Sequence, residues 1–159
     1  IYLEEGAVFT LDTAQIGGVD STVRKTEVHM EADSKLYVME KLMTHDSQTA
    51  VSDMTVEMNG AGSSAQIVSR SVAKGNSVQT FHPIAIGNAL CHAHVQCDSI
   101  IMDKAQISSI PEINARDIDA QIIHEAAIGR INNEQILKLR TFGMTEEEAE
   151  AVIIEDFLA

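Results

Sequence analysis

No tryptophan occurs in this chain of 159 residues, and aromatic side chains make up only 4% of it. A core organised around a few large rings is thereby excluded, so packing must come from aliphatic and β-branched side chains. Cysteine is equally sparse: Cys91 and Cys97 are the only two, which is no disulfide framework and fits a reducing, cytoplasmic setting. Only 11 basic residues stand against 24 acidic ones, for a net charge of −13. That balance excludes a nucleic-acid role, because phosphate contacts need a basic face. No apolar run approaches the roughly 18 residues that would span a bilayer, and no leader pattern is present; neither membrane insertion nor secretion is expected. The chain begins at Ile1 without an initiator Met, so a fragment or a start further upstream is expected. Also missing are a phosphate-binding glycine loop, a GxSxG elbow, an HExxH helix and a CxxC pair, and the chain is read as no enzyme in its own right.

What is present is a chain of ordinary domain size, 45% hydrophobic and 22% charged, long enough to bury a sizeable core. Residues 1–127 alternate with period two in short stretches. In KLYVMEKLM, Leu36 and Val38 alternate with Tyr37 and Met39; in DMTVEMNG, Met54, Val56 and Met58 share a face; in SAQIVSRSV, Ala65, Ile67 and Ser69 alternate with Gln66, Val68 and Arg70. Such alternation marks strands, and Gly, Asn, Asp and Ser punctuate them, as at Gly17-Gly18 and Gly75-Asn76-Ser77. A β-sandwich and a parallel β-solenoid both fit, and small inward residues with few aromatics favour the solenoid. Asn59-Gly60 is the one strong hairpin signal and points the other way.

Residues 128–159 change to a helical segment. INNEQILKLRTFG predicts a helix capped by Asn132 or Asn133, with Gly143 in the left-handed position past its end. MTEEEAEAVIIEDFLA predicts a second, with Thr145 and Glu148 as a capping box and an apolar stripe of Ala149, Val152, Ile153 and Phe157. On spacing alone, the pair reads as a cap on the open end of the core.

The chemistry concentrates in ALCHAHVQCDS, residues 89–99. As a strand it places Cys91, Ala93, Val95 and Cys97 on one face and His92, His94 and Gln96 on the other. Cys91 reads as core filler. Cys97, followed by Asp98 and Ser99, is expected near a strand end, within reach of solvent or a ligand. A mononuclear zinc or iron site using His92 or His94 is an alternative, although imidazoles two residues apart on a strand lie roughly 7 Å from each other. Further on, alternation sets His124 on the face of Ile122, opposite Ile123 and Glu125; imidazole beside carboxylate suits a divalent or iron ion.

Residues 124–159 resemble the C-terminal signature of the SufB/SufD family, the scaffold components of the Suf iron–sulfur cluster assembly machinery. The matching elements are His124-Glu125-Ala126, Gly129-Arg130-Ile131, Glu134-Gln135-Ile136, Gly143 and Glu147-Glu148-Ala149. Upstream, Gln96-Cys97-Asp98-Ser99 resembles the QCDS stretch of the SufB branch, and Ile110-Pro111-Glu112-Ile113 its proline segment. The sequence departs at Thr141-Phe142-Gly143 and at Leu137-Lys138. The resemblance implies a right-handed parallel β-helix followed by a C-terminal helical pair that docks a SufC-like ABC ATPase. It implies pairing as a homodimer, or as a heterodimer with a SufB/SufD-type subunit. By position it also implies Cys97, His124 and Glu125 as ligands of a transient iron–sulfur cluster, gathered at a subunit interface. The alternative within the same family is an interaction module that binds the ATPase or a core partner and holds no cluster.

Overall fold

A computed structural model describes residues 1–159. Its strands are β1 (Tyr2–Leu3), β2 (Val8–Ile16), β3 (Ser21–Met30), β4 (Lys35–Thr44), β5 (Thr49–Met58), β6 (Ser63–Ala73), β7 (Val78–Gly87), β8 (Cys91–Ile101), β9 (Gln106–Ser109), β10 (Glu112–Ala115) and β11 (Gln121–Gly129). Two helices follow, α1 (Asn133–Thr141) and α2 (Glu146–Leu158). Consecutive long strands go to opposite sheets. One sheet runs β1-β3-β5-β7-β10, with β9 also on β7; the other runs β11-β8-β6-β4-β2. Every pairing is parallel. Ser63 pairs with Cys91 and Ser21 with Thr49, so each coil takes about 28 residues, within the range of solenoid repeats. The fold is thus a parallel β-solenoid, as expected.

No hairpin forms at Asn59-Gly60; these residues carry the chain from β5 in one sheet to β6 in the other. The glycine answers a different need. A Cβ on Gly60 would stand 1.9 Å from the Ala32 nitrogen of the preceding coil, so coil stacking, not a mirror-image turn, requires glycine here.

The alternation read from sequence holds. Leu36, Val38, Met54, Val56, Met58, Ala65 and Ile67 are all buried, while Tyr37 is 42% exposed. They form one cluster between the sheets with Val28, Met30, Phe81, Ala85 and the inward residues of β8. Beyond this cluster, from the middle of β4, the interior turns polar. Glu40 is 1% exposed, and its Oε2 accepts from the Arg24 guanidinium and from Ser52 at 3.0 Å. Nearby, Gln79 donates to Thr44 and to the Val72 carbonyl, both at 2.8 Å, and the Ser71 and Ser99 hydroxyls meet at 2.8 Å.

Both helices begin as predicted. The Asn132 side chain accepts from the Glu134 amide to cap α1, and Gly143 beyond its end has φ +94°. At α2, Thr145 and Glu148 complete a reciprocal capping box. The predicted stripe is rotated, however. Ala149 is buried and Phe157 packs against the protein, but Val152 is 42% exposed, and Ile154 and Leu158 supply the most buried contacts instead. These two pack with Val72 and Met102 on the outer surface of the solenoid. Helix α2 therefore lies along the side of a sheet rather than over the open end of the core. Lys41 Nζ donates to the Ala159 carbonyl at 2.7 Å and Arg70 to that of Phe157 at 3.3 Å, placing cations at the negative end of the helix dipole.

Candidate functional site

Parallel pairing of β8 with β11 sets His124 beside Val95 and Ala126 beside Cys97. Side chains at matched positions of a parallel pair point the same way, so His124 and Cys97 both turn inward, two residues out of register. They meet: Cys97 Sγ lies 3.3 Å from His124 Nε2. This contact joins residues 27 positions apart.

Cys97 does not sit near a strand end. It occupies the middle of β8 and is 3% exposed. The expectation failed because Asp98 and Ser99, read as the start of a loop, continue the alternation. Asp98 points outward, where Gln96 Nε2 donates to it at 2.6 Å, and Ser99 joins the polar interior. Its neighbour on the solvent side is His124, a partly buried residue on β11, the last strand of its sheet.

Burial sets the protonation states of the pair. It pushes the Cys97 thiol above its ordinary value of 9.0; the Ser109 hydroxyl opposes this, and the Asp98 and Glu40 carboxylates add to the rise. Ser109 faces the thiol without the geometry of a full hydrogen bond. Burial also holds the His124 imidazole below its ordinary 6.5. At neutral pH the couple is therefore a neutral thiol beside a neutral imidazole, not a thiolate–imidazolium pair. With the proton on Nδ1, Nε2 accepts from the S–H group. A soft or borderline cation that displaces this shared proton gains a thiolate and an imidazole nitrogen together, the donor set of iron and zinc chemistry.

Glu125 is not part of this contact. Alternation turns it to the outer face, where its Oε2 lies 3.3 Å from His94 Nε2. His92 is exposed on the same outer face. Of the sequence candidates, then, Cys97 and His124 converge, while Glu125 pairs with His94 on the other side of the sheet. No group of three or more His, Cys, Asp and Glu side chains is arranged to hold a metal ion. One chain supplies two converging donors. Cys91 is 4% exposed within the apolar cluster, as core filler should be.

Sequence reasoning missed the polar wall around Cys97. The inward row across one sheet runs Thr13, Glu40, Ser69, Cys97, Ala126. The signal was in KLYVMEKLM: Glu40 has the same parity as Leu36, Val38 and Leu42, so alternation already turned a carboxylate into the core.

A family model described as "SUF system FeS cluster assembly, SufBD core domain" matches residues 1–157. An iron–sulfur cluster assembly SufBD family protein of Methanocaldococcus jannaschii is 28% identical over 166 residues, covering 99% of this chain and 51% of that protein. Proteins of the same description from Archaeoglobus fulgidus and Pyrococcus horikoshii are 27% and 30% identical, over 99% and 85% of this chain and 43% and 44% of their own lengths. The chain spans about half the length of these curated relatives or less.

Proposed function

The chain belongs to the SufBD family of iron–sulfur cluster assembly proteins, and from that premise we propose that it is a scaffold subunit on which a cluster is built transiently. The observation that carries this reading is the 3.3 Å contact between Cys97 and His124. Iron and sulfide are the cargo. The Cys97 thiolate binds iron strongly and the neutral His124 imidazole more weakly, and a scaffold that must release its product benefits from incomplete thiolate ligation.

Two donors do not complete a cluster, so the remaining ligands come from a second subunit. The free edge of β11 supports such pairing, with Ile123 48% and Ile128 46% exposed along it. The helical pair is the docking surface for a SufC-like ABC ATPase; Leu137, Phe142 and Val152 present exposed apolar groups there, and ATP hydrolysis belongs to that partner.

Anaerobic reconstitution with iron and sulfide tests the scaffold reading, with wild type beside Cys97→Ser and His124→Ala. The expected result is a labile visible chromophore, absent from Cys97→Ser and short-lived in His124→Ala. The 3% exposure of Cys97 favours a second reading, an interaction module that holds no cluster. That reading gains if folded wild type takes up no iron and sulfide yet binds the ATPase.

A further inference from the structure

His92 and His94 stand on the outer face of β8, opposite to the face of Cys97, and the cluster-assembly reading leaves both unused. Strand β6 sets Ser64 beside His92 and Gln66 beside His94. Two imidazoles and two oxygen-bearing side chains therefore form one square patch. All four line a single cleft of about 290 Å3. Neither imidazole belongs to the core: His92 is exposed, and the His94 side chain is 31% exposed.

Two rises of a strand separate the histidine backbones by roughly 7 Å. Half of that gap is shorter than a histidine side chain, and side chains on a strand lean along its direction. The two rings can therefore close on one ion, which takes imidazole nitrogens at about 2.0–2.1 Å. Glu125 adds an independent feature. Its Oε2 lies 3.3 Å from His94 Nε2, and a carboxylate there favours the proton on Nε2, leaving Nδ1 as the lone-pair donor. A carboxylate behind an imidazole is the arrangement that orients histidine ligands in metal sites. Charge acts in the same direction. Lys35 continues the Ser64–His92 row, two strands from His92, and at about 10 Å its charge is largely screened. Glu125 is far closer to the patch, in a chain of net charge −13.

We propose that His92 and His94 chelate one divalent cation of the imidazole-preferring class, such as zinc or ferrous iron, on the outer face of β8. The Gln66 carbonyl, the Ser64 hydroxyl and water complete its coordination, and Glu125 is the positioning residue for His94. Magnesium and calcium, which take oxygen ligands throughout, do not suit this donor set. With only two strong protein ligands, the ion stays exchangeable. The site lies across the strand from Cys97, and it does not rest on the cluster-assembly reading.

The test is calorimetric titration of the full chain with zinc chloride, and with magnesium chloride as the control. Wild type is compared with Cys97→Ser, His92→Ala, His94→Ala and Glu125→Gln; Cys97→Ser removes the thiol of the other candidate site. The expected result is one zinc ion per chain that persists in Cys97→Ser and is lost in both histidine variants. Glu125→Gln should bind zinc about tenfold more weakly, with partial recovery in Glu125→Asp. Position 92 is exposed, so His92→Ala should keep the wild-type thermal midpoint, and its loss of zinc is then not a loss of fold. Zinc binding that disappears in Cys97→Ser, or survives in either histidine variant, overturns the proposal. So does one ion shared by two chains, or magnesium bound as tightly as zinc. Unchanged affinity in Glu125→Gln overturns its positioning role. Iron and sulfide reconstitution of the same samples keeps the two readings apart. A chromophore in a protein that binds no zinc at His92 and His94 leaves the scaffold reading standing; zinc bound there in a protein that forms no chromophore does the reverse.

Discussion

Two shifted titrations flank neutrality at the Cys97–His124 contact, and they shape stability in opposite pH limbs. The folded thiol ionises above 9.0, so its contribution is complete below that value and lost as the pH rises beyond it, where the unfolded chain gives up its proton first. Cys91 acts in the same direction, its thiol also raised by burial. The folded imidazole ionises below 6.5; its contribution is complete above 6.5 and lost as the pH falls, because the unfolded histidine is protonated first. Stability should be flat between these limits and decline on either side. Urea midpoints across the range check this, and His124→Gln should flatten the acid limb alone. Glu40 is the other residue with a measurable burden. Arg24→Ala leaves a carboxylate buried without its cation and should destabilise the fold by about 3 kcal/mol. Glu40→Gln keeps the shape and removes the charge, and should cost only about 1 kcal/mol. Equal losses in urea unfolding would show that the ion pair is not what holds Glu40 inside.

Elements were legible wherever local chemistry decides them. Asn132, Gly143, Thr145 and Glu148 marked the helix ends because capping satisfies backbone groups within a few residues. Thr145→Ala should therefore cost about 1 kcal/mol and fray the start of α2, seen as faster amide exchange of Glu147 and Glu148. The face of α2 was not legible. Val152 and Ile154 are both apolar, and only the position of the helix beside Val72 and Met102 decides which is covered. Strand faces were read correctly from period two, yet the Asn59-Gly60 signal misled. A local rule assigned that glycine to a hairpin, whereas a contact with Ala32 of another coil requires it. The candidate site divided along the same line. The inward direction of Cys97 and His124 followed from alternation, but their 3.3 Å contact depends on the register of β8 against β11, which no single segment encodes.

At the scale of the whole molecule, a solenoid buries its core between coils and leaves strand edges at its ends. The edge at β11 carries the candidate site and exposed isoleucines. Self-pairing there predicts a concentration-dependent dimer by sedimentation equilibrium, and Ile123→Lys should weaken it with little change in thermal midpoint. A charged residue at an exposed position costs a monomer little, so a drop in stability equal to the loss of pairing would instead mark Ile123 as structural. No helix is long and apolar enough to cross a membrane. With an acidic surface of net charge −13, a partner docked on the helices should present a basic complement, and its affinity should fall with salt.

Joint ligation of iron by Cys97 and His124 is read out by pulsed electron paramagnetic resonance on the reduced, reconstituted protein labelled with 15N-histidine. The expected spectrum carries a nitrogen coupling to the cluster that disappears in His124→Ala and persists in His94→Ala. A cluster with no histidine nitrogen coupling, or one whose coupling survives His124→Ala, would contradict it.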